Sequence, residues 1–301
     1  MLNARHVEAL HAVMRAGSVR GAAQMLGVAQ PGLSRMIKHI EDRLGFALFD
    51  RSSGRLVPTQ EAHLLARHIE EVHKGLIDLD QVARRLASGD RRLFRIAASP
   101  SLGHSIVPEM LAKLVERHPG VVLQFDILSV EQTDDYLELG RGDFTLTVFA
   151  MTSPSIHSVK LGAAPLVLAV HADDPLAAEA RVTPAMLAEA PFVTFREDTP
   201  HGRAIAATMG GHPANVRAYV RFGETALAFV ARRLGVAIID AFTAEQARDP
   251  AIRIVPIEGA GALPVHLNRN LSTPRSAIGT SFQAIARAML RRERPIATAK
   301  P

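Results

Sequence analysis

Four side chains near the N-terminus have the types and spacing needed to read the edges of base pairs. Gln30, Ser34 and Lys38 recur every four residues, and Arg35 adjoins Ser34. On a helix, at about 100° per residue, Ser34, Arg35 and Lys38 set a hydroxyl, a guanidinium and an ammonium on one side, with the Gln30 amide at the N-terminal end. Arginine can pair bidentately with guanine and glutamine with adenine, whereas lysine is a point charge suited to phosphate. Leu33, Ile37, Ile40 and Leu44 make an apolar stripe on the opposite side. One face is thus expected in a core and the other is offered to a ligand.

Reacting groups are scarce elsewhere. The 301 residues include no cysteine, which excludes disulfides, thiolate nucleophiles and cysteine-based zinc sites. P-loop, GxGxxG, GxSxG and HExxH patterns are missing. Of the 13 histidines, His6 and His11 are five apart, as are His63 and His68, and packing is the expected role of all four. Asp134 and Asp135 read as a solvated helix face, not an acid–base pair. The expectation is a protein that binds and does not turn over substrate, without cofactor or metal.

The elements that position the first group can be read in order. Val7, Leu10 and Met14 share a helical face that Gly17 ends; Ser18 is a plausible N-cap for a second helix, with Ala22, Ala23 and Leu26 inward and Gly27 as its stop. A third helix spans about 30–44, with Pro31 in its first turn, where a missing N–H costs nothing. Two short helices joined at a glycine, the second polar and basic, describe a helix-turn-helix. The following LFDRSSGRLVPT reads as strand, turn and strand, a wing that would carry Arg51 and Arg55 beside the groove. Charge agrees. The chain is net +5, and residues 1–60 hold eight cations against four acids, so most of the excess lies in this head.

The stretch AAQMLGVAQPGLSRMIKHIEDRLGFALFDR resembles the DNA-binding head of the LysR-type transcriptional regulators. The small-residue pair, the QPxxSRxI core and the LGxxLFxR segment stand in register. Arg20 replaces a usual threonine, Ala29 a frequent serine, and His39-Ile40 a polar-leucine pair. The VPTQEA ending and the VEAxxAVM opening are similar to the subgroup that responds to octopine and nopaline. The DNA-binding set then comprises Ser18, Arg20, Gln30, Pro31, Ser34, Arg35, Lys38, Arg51 and Arg55.

From 60 to about 88 runs one long helix pattern without proline. Leu65, Ile69, Val72, Leu76, Leu79, Ala83 and Leu86 alternate spacings of four and three, a heptad seam that wants a partner helix. A homodimer is expected through it, since two heads read two half-sites; the resemblance also implies a homotetramer on a promoter palindrome.

Residues 93–301 alternate strand-like and helix-like runs, the pattern of an α/β sheet. The resemblance implies a two-lobed sensor of type II periplasmic-binding-protein fold, with lobes at about 91–161 plus 267–301 and 162–266. The whole reads as α/β with an all-α N-terminal winged helix-turn-helix (1–59), a linker helix (60–90) and that sensor (91–301). A ligand would sit where strands end and helices begin. The loops there offer Ser99, Pro100, Ser101, Leu102, Ser129, Phe149, Phe195, Arg196, Arg203, Glu224, Thr225 and Asp240. A ligand carboxylate could meet Ser99, Ser101 and Thr225, the last placed as a helix cap; a cationic group could meet Glu224 or Asp240. An amino acid or opine-like derivative fits these charges and the subgroup similarity.

No apolar run approaches the roughly 18 residues of a membrane span, and 1–10 has no apolar signal core, so a cytoplasmic location is expected. The competing readings are a solute-binding protein with a helical appendage and an α/β enzyme. The basic head and the missing catalytic motifs oppose them. The tail from Arg291 is expected to fray.

Overall fold

A computed structural model of the chain describes residues 2–50, 56–88 and 93–291. The chain divides into two compact units, Met1–Arg91 and Arg92–Pro301.

The first unit opens with α1 (Ala4–Ala16), α2 (Val19–Leu26) and α3 (Gln30–Leu44). Side chains set two of the starts: Asn3 accepts from the His6 amide and Ser18 from the Gly21 amide. All three helices end on a left-handed glycine, Gly17, Gly27 and Gly45, where a side chain would be strained. Strands β1 (Phe49–Asp50) and β2 (Val57–Pro58) pair antiparallel as the base of the wing. Its tip, with Arg51 and Arg55, lies outside the described residues, as does the tail after Arg291.

Val7, Leu10, Val13, Ala22, Ala23, Leu33, Ile37 and Ile40 form the core of this unit. Each fully buried isoleucine contributes roughly 1.5–3 kcal/mol. Leu26 departs from the reading above: it is exposed. Helix α2 ends there, and the turn carries its side chain away from the interior. Helix α4 (Gln60–Ser88) is the long helix expected, but its first half is not a free linker. Ala62 and Ile69 are buried in the head's core, with Leu65 packed against it.

The second unit is built on β3 (Leu93–Ala98), β4 (Val122–Ile127), β5 (Phe144–Thr147), β6 (Ile156–His171), β7 (Phe192–Phe195), β8 (Val216–Val220), β9 (Ala237–Asp240), β10 (Ile252–Pro256) and β11 (Ala262–Asn270). Its helices are α5 (Pro100–His104), α6 (Ile106–Arg117), α7 (Val130–Glu138), α8 (Pro200–Met209), α9 (Gly223–Val230), α10 (Ala241–Ala244) and α11 (Ala277–Leu290). Strand order is β4-β3-β5-β11-β6-β10, with β9 also on β6 and a separate parallel pair β7-β8. Strands β3, β4 and β5 are parallel, so their carboxyl ends share one edge.

Strands β6 and β11 pair antiparallel along both halves of the unit, with a register shift between Val265 and His266. The 16-residue β6 joins β11 and β5 at its start and β9 and β10 at its end. That gives two α/β lobes hinged on two strands. The close of α11 lies on this crossing: a Cβ on Gly162 would stand 2.8 Å from the Leu290 carbonyl oxygen, so only glycine fits. Phe94, Phe144 and Phe282 cluster in the first lobe at centroid separations of 5.2–6.0 Å.

Several boundaries differ from the sequence reading. Strand β6 reaches back to Ile156, well before LVLAVH, and the helix expected near 184–190 is one 3₁₀ turn, Pro184–Leu187. The helix expected after Gly202 begins at Pro200, where Thr199 caps it.

Candidate nucleic-acid interface and ligand cleft

The turn before α3 is held by backbone bonds from Gly27 and Val28 to the Ala23 carbonyl, the latter at 3.0 Å. Beyond it Gln30, Pro31, Arg35 and Lys38 are exposed and Ser34 is half-buried. Arg20 is exposed on α2; Ser18 accepts from the Gly21 amide at 3.1 Å with its side-chain oxygen. Among the described residues none of Arg20, Arg35 and Lys38 forms an ion pair, so their charge is available to a polyanion.

Two residues passed over by sequence reasoning fix this face. Glu41, on α3, accepts from the amides of Leu48 (2.8 Å) and Phe49 (3.1 Å) and so ties the start of β1 to α3. Thr59 donates to the Ala47 carbonyl at 2.9 Å and accepts from the Ala62 amide at 3.2 Å, capping α4. The Thr59-x-x-Ala62 spacing before a helix is the signal that could have found the second; nothing local marks Glu41.

In the second unit Ser99, Pro100, Ser101, Leu102, Glu224, Thr225 and Asp240 collect where α5 packs against α9 and α10. Ser99 starts α5 and its amide bonds the Leu146 carbonyl at 2.9 Å. Ser101 is buried and its Oγ has no hydrogen-bond partner among the described residues. The same holds for Thr194 Oγ1, beside Phe195 at the end of β7. Helices α5 and α9 both begin without a side-chain cap. Buried hydroxyls without partners and open helix N-termini suit a small polar ligand, an anionic group above all.

Charges across the lobes are paired. His104 Nδ1 on α5 lies 2.7 Å from Glu224 Oε1 on α9, and Arg221 at the end of β8 donates to Glu131 of α7 at 2.5 Å. Glu131 is held below the usual glutamate range by the Ser129 hydroxyl first and also by Arg221.

Asp240 is fully buried and saturated. Its carboxylate accepts from the Phe242 and Thr243 amides at 3.1 Å, the Thr243 hydroxyl at 2.9 Å and His201 Nε2 at 3.0 Å. Burial pushes its carboxyl up, but the bonds from His201 and Thr243 outweigh it and hold it below the ordinary range. The reading of Asp240 as the partner of a ligand cation is therefore corrected, because no acceptor position is left over.

Leu102 is corrected too: it is wholly buried in the apolar core. Thr225 does not cap α9, which begins two residues earlier with Phe222 at the N-cap. Arg196 pairs with Asp198 at 3.2 Å in an exposed position, and Arg203 donates to the Asp198 carbonyl at 2.7 Å. Phe195 stacks on His201 at 4.7 Å, Phe149 is half-buried and Ser129 starts α7.

Comparison with known families gives two matches: "Bacterial regulatory helix-turn-helix protein, lysR family" over residues 4–63 and "LysR substrate binding domain" over residues 87–291. The chain belongs to the LysR family. It is a DNA-binding transcriptional regulator with an effector-binding domain, and not an enzyme. It is 27% identical to the transcriptional activator protein LysR of Escherichia coli (strain K12), over 96% of this chain and 94% of that one. It is equally 27% identical to the octopine catabolism/uptake operon regulatory protein OccR of Rhizobium meliloti, over 96% and 98%. The crystal structure of full-length CbnR complexed with its target DNA matches 95% of this chain and 99% of its own, with a TM-score of 0.73 at 20% identity.

In the second unit, sequence reasoning also passed over the polar residues His104, Glu131, Thr194, His201, Arg221 and Thr243. Among these six, a histidine directly after Pro200 at a helix start was a legible sign. The His104–Glu224 and Arg221–Glu131 pairings are set by how the lobes meet and have no signature in spacing.

Proposed function

We propose that this regulator reads promoter DNA with Ser18, Arg20, Gln30, Ser34, Arg35 and Lys38, joined by Arg51 and Arg55 of the wing. It is controlled in the cytoplasm by a small amino-acid-like carboxylate bound between the lobes of its C-terminal unit. The observation carrying the second part is that two hydroxyls, Ser101 Oγ in the first turn of α5 and Thr194 Oγ1 in β7, are buried without partners, in a unit where α5 and α9 begin uncapped. A carboxylate supplies the acceptors these groups lack. Ser99 and Ser129 complete the anion side, and Glu224 faces the ligand's ammonium with the carboxylate oxygen that His104 does not hold. The similarity to OccR, named for octopine catabolism and uptake, supports the same ligand class.

The active form in this reading is a homodimer through the exposed part of α4, where Val72 and Leu79 lie open to solvent, and a homotetramer built from two such dimers. Ligand binding shifts how these dimers associate, which requires different affinity for the two arrangements.

A thermal-shift screen of amino acids, opines and simple carboxylates against the full chain tests the ligand class. A stabilising hit that is lost in Ser101→Ala supports it; stabilisation by no carboxylate rejects it. Anisotropy titration of the selected operator against random duplex at matched salt tests the DNA assignment, and equal affinity for both rejects it in favour of a solute-binding protein.

A further inference from the structure

We propose that Val28 and Ala29, flanked by Met25, form an apolar edge of the recognition surface that reads thymine methyl groups in the operator. The proposal rests on the assignment of α3 to the major groove and extends it to residues outside the polar set.

Residues 24–31 are an unbroken exposed run in an otherwise well-packed unit. Within it Met25 is 56% and Val28 50% exposed, although both side chains are large and apolar. Looseness of the turn does not account for this, because Gly27 at φ 65° and the Val28–Ala23 bond of 3.0 Å fix the backbone. Val28 is presented to solvent from a rigid position.

The start of α3 departs from a local rule at the same place. Helices α1, α2 and α4 begin with Asn3, Ser18 and Thr59, each accepting a backbone N–H. Helix α3 begins at Ala29, with no side-chain cap. Alanine is among the poorer N-cap residues. Its position here puts a methyl at the leading tip of the helix that carries Gln30 and Ser34. Departures from local preference concentrate at functional surfaces.

The surroundings select the occupant. Arg20, Arg35 and Lys38 flank the edge, so a second copy of the chain would bring like charges together, whereas DNA would neutralise them. The thymine C5-methyl is the apolar group that base edges display in the major groove, and alanine-sized apolar side chains contact it.

The test uses the full-length protein and the tightest site selected from a randomised duplex pool. Each thymine is replaced singly by deoxyuridine, which lacks only the methyl. One or two thymines per half-site should weaken binding roughly fourfold each, the worth of one buried methyl-sized group. Ala29→Gly removes the methyl and keeps an acceptable N-cap, and Val28→Ala trims the neighbour. In the variant that lost its contact, the matching deoxyuridine penalty should disappear.

Indifference to every deoxyuridine overturns the proposal, as do penalties that persist unchanged in both variants. A change in sedimentation without a change in thymine response assigns the edge to contact between copies and overturns it equally. Arg35→Ala separates the underlying assignment: if that variant keeps its discrimination, the groove placement of α3 fails, whatever deoxyuridine does.

Discussion

Charge and burial give individual residues separable jobs. Lys38 is exposed without an ion pair among the described residues and sits two turns beyond Gln30, so it suits phosphate. Lys38→Ala should weaken binding to all duplexes about equally and lower the salt-dependence slope by about one, measured by anisotropy from low to moderate salt. A loss confined to one sequence would contradict that role. Asp240 belongs to the fold. Asp240→Asn strands His201 and Thr243 and should cost about 3 kcal/mol, a fall in Tm of roughly 6–12 °C by calorimetry. Acid acts through the same group: its folded carboxyl titrates below the ordinary 3.8, so the unfolded chain takes up the proton first. The stability it contributes is full above that value and is lost as pH falls below it. His266 acts nearer neutrality. Burial first, and Lys160 with it, hold its imidazole below the ordinary 6.5. The unfolded chain therefore protonates first as pH falls below 6.5, and stability declines with acidification in that window. His266→Gln should flatten the Tm-against-pH curve between about pH 7 and 5; an unchanged slope would remove His266 as its source.

At the scale of elements, α4 carries two functions on one heptad pattern. Ile69 is buried in the head while Val72 and Leu79 are open. Ile69→Ala should destabilise the first unit by about 2–4 kcal/mol through the cavity it leaves. Val72→Asp with Leu79→Asp should leave folding of a monomer within about 0.5 kcal/mol, as for exposed positions, yet shift sedimentation from dimer to monomer. A dimer that survives both charges would place the interface elsewhere. The heptad spacing alone could not make this division, because a four-three repeat looks the same whether a helix packs on its own head or on a partner's. Where periodicity is local it was decisive: Gly17, Gly27 and the Leu33-Ile37-Ile40 stripe give α1 to α3 nearly to the residue. The cleft was less legible. Ser99 and Ser101 could be placed from strand ends, but whether Asp240 faces a ligand depends on His201, 39 residues away, and Leu26 turns outward only because α2 stops at it.

In the ligand-binding unit as a whole, the lobes are joined by strands β6 and β11 and by two ion pairs, His104–Glu224 and Arg221–Glu131. Each pair is substantially exposed, so each is worth only about 0–1 kcal/mol. That scale is too small to matter for folding, which rests on the buried sheet and the phenylalanine cluster. It is large enough to set the balance between open and closed lobes, because 1.4 kcal/mol is a tenfold change in an equilibrium constant. Breaking both pairs, with His104→Ala and Arg221→Ala together, should therefore leave Tm nearly unchanged while raising hydrogen exchange at the starts of α5 and α9. It should also weaken a closing ligand by up to about tenfold, since apparent affinity scales with the closed fraction. The single variants should give intermediate shifts that add, as the two pairs share no atom. A large fall in Tm would show that the pairs hold the lobes' packing and not their closure; exchange that stays slow in the double variant would show that α5, α9 and α10 keep the cleft shut through apolar contact alone.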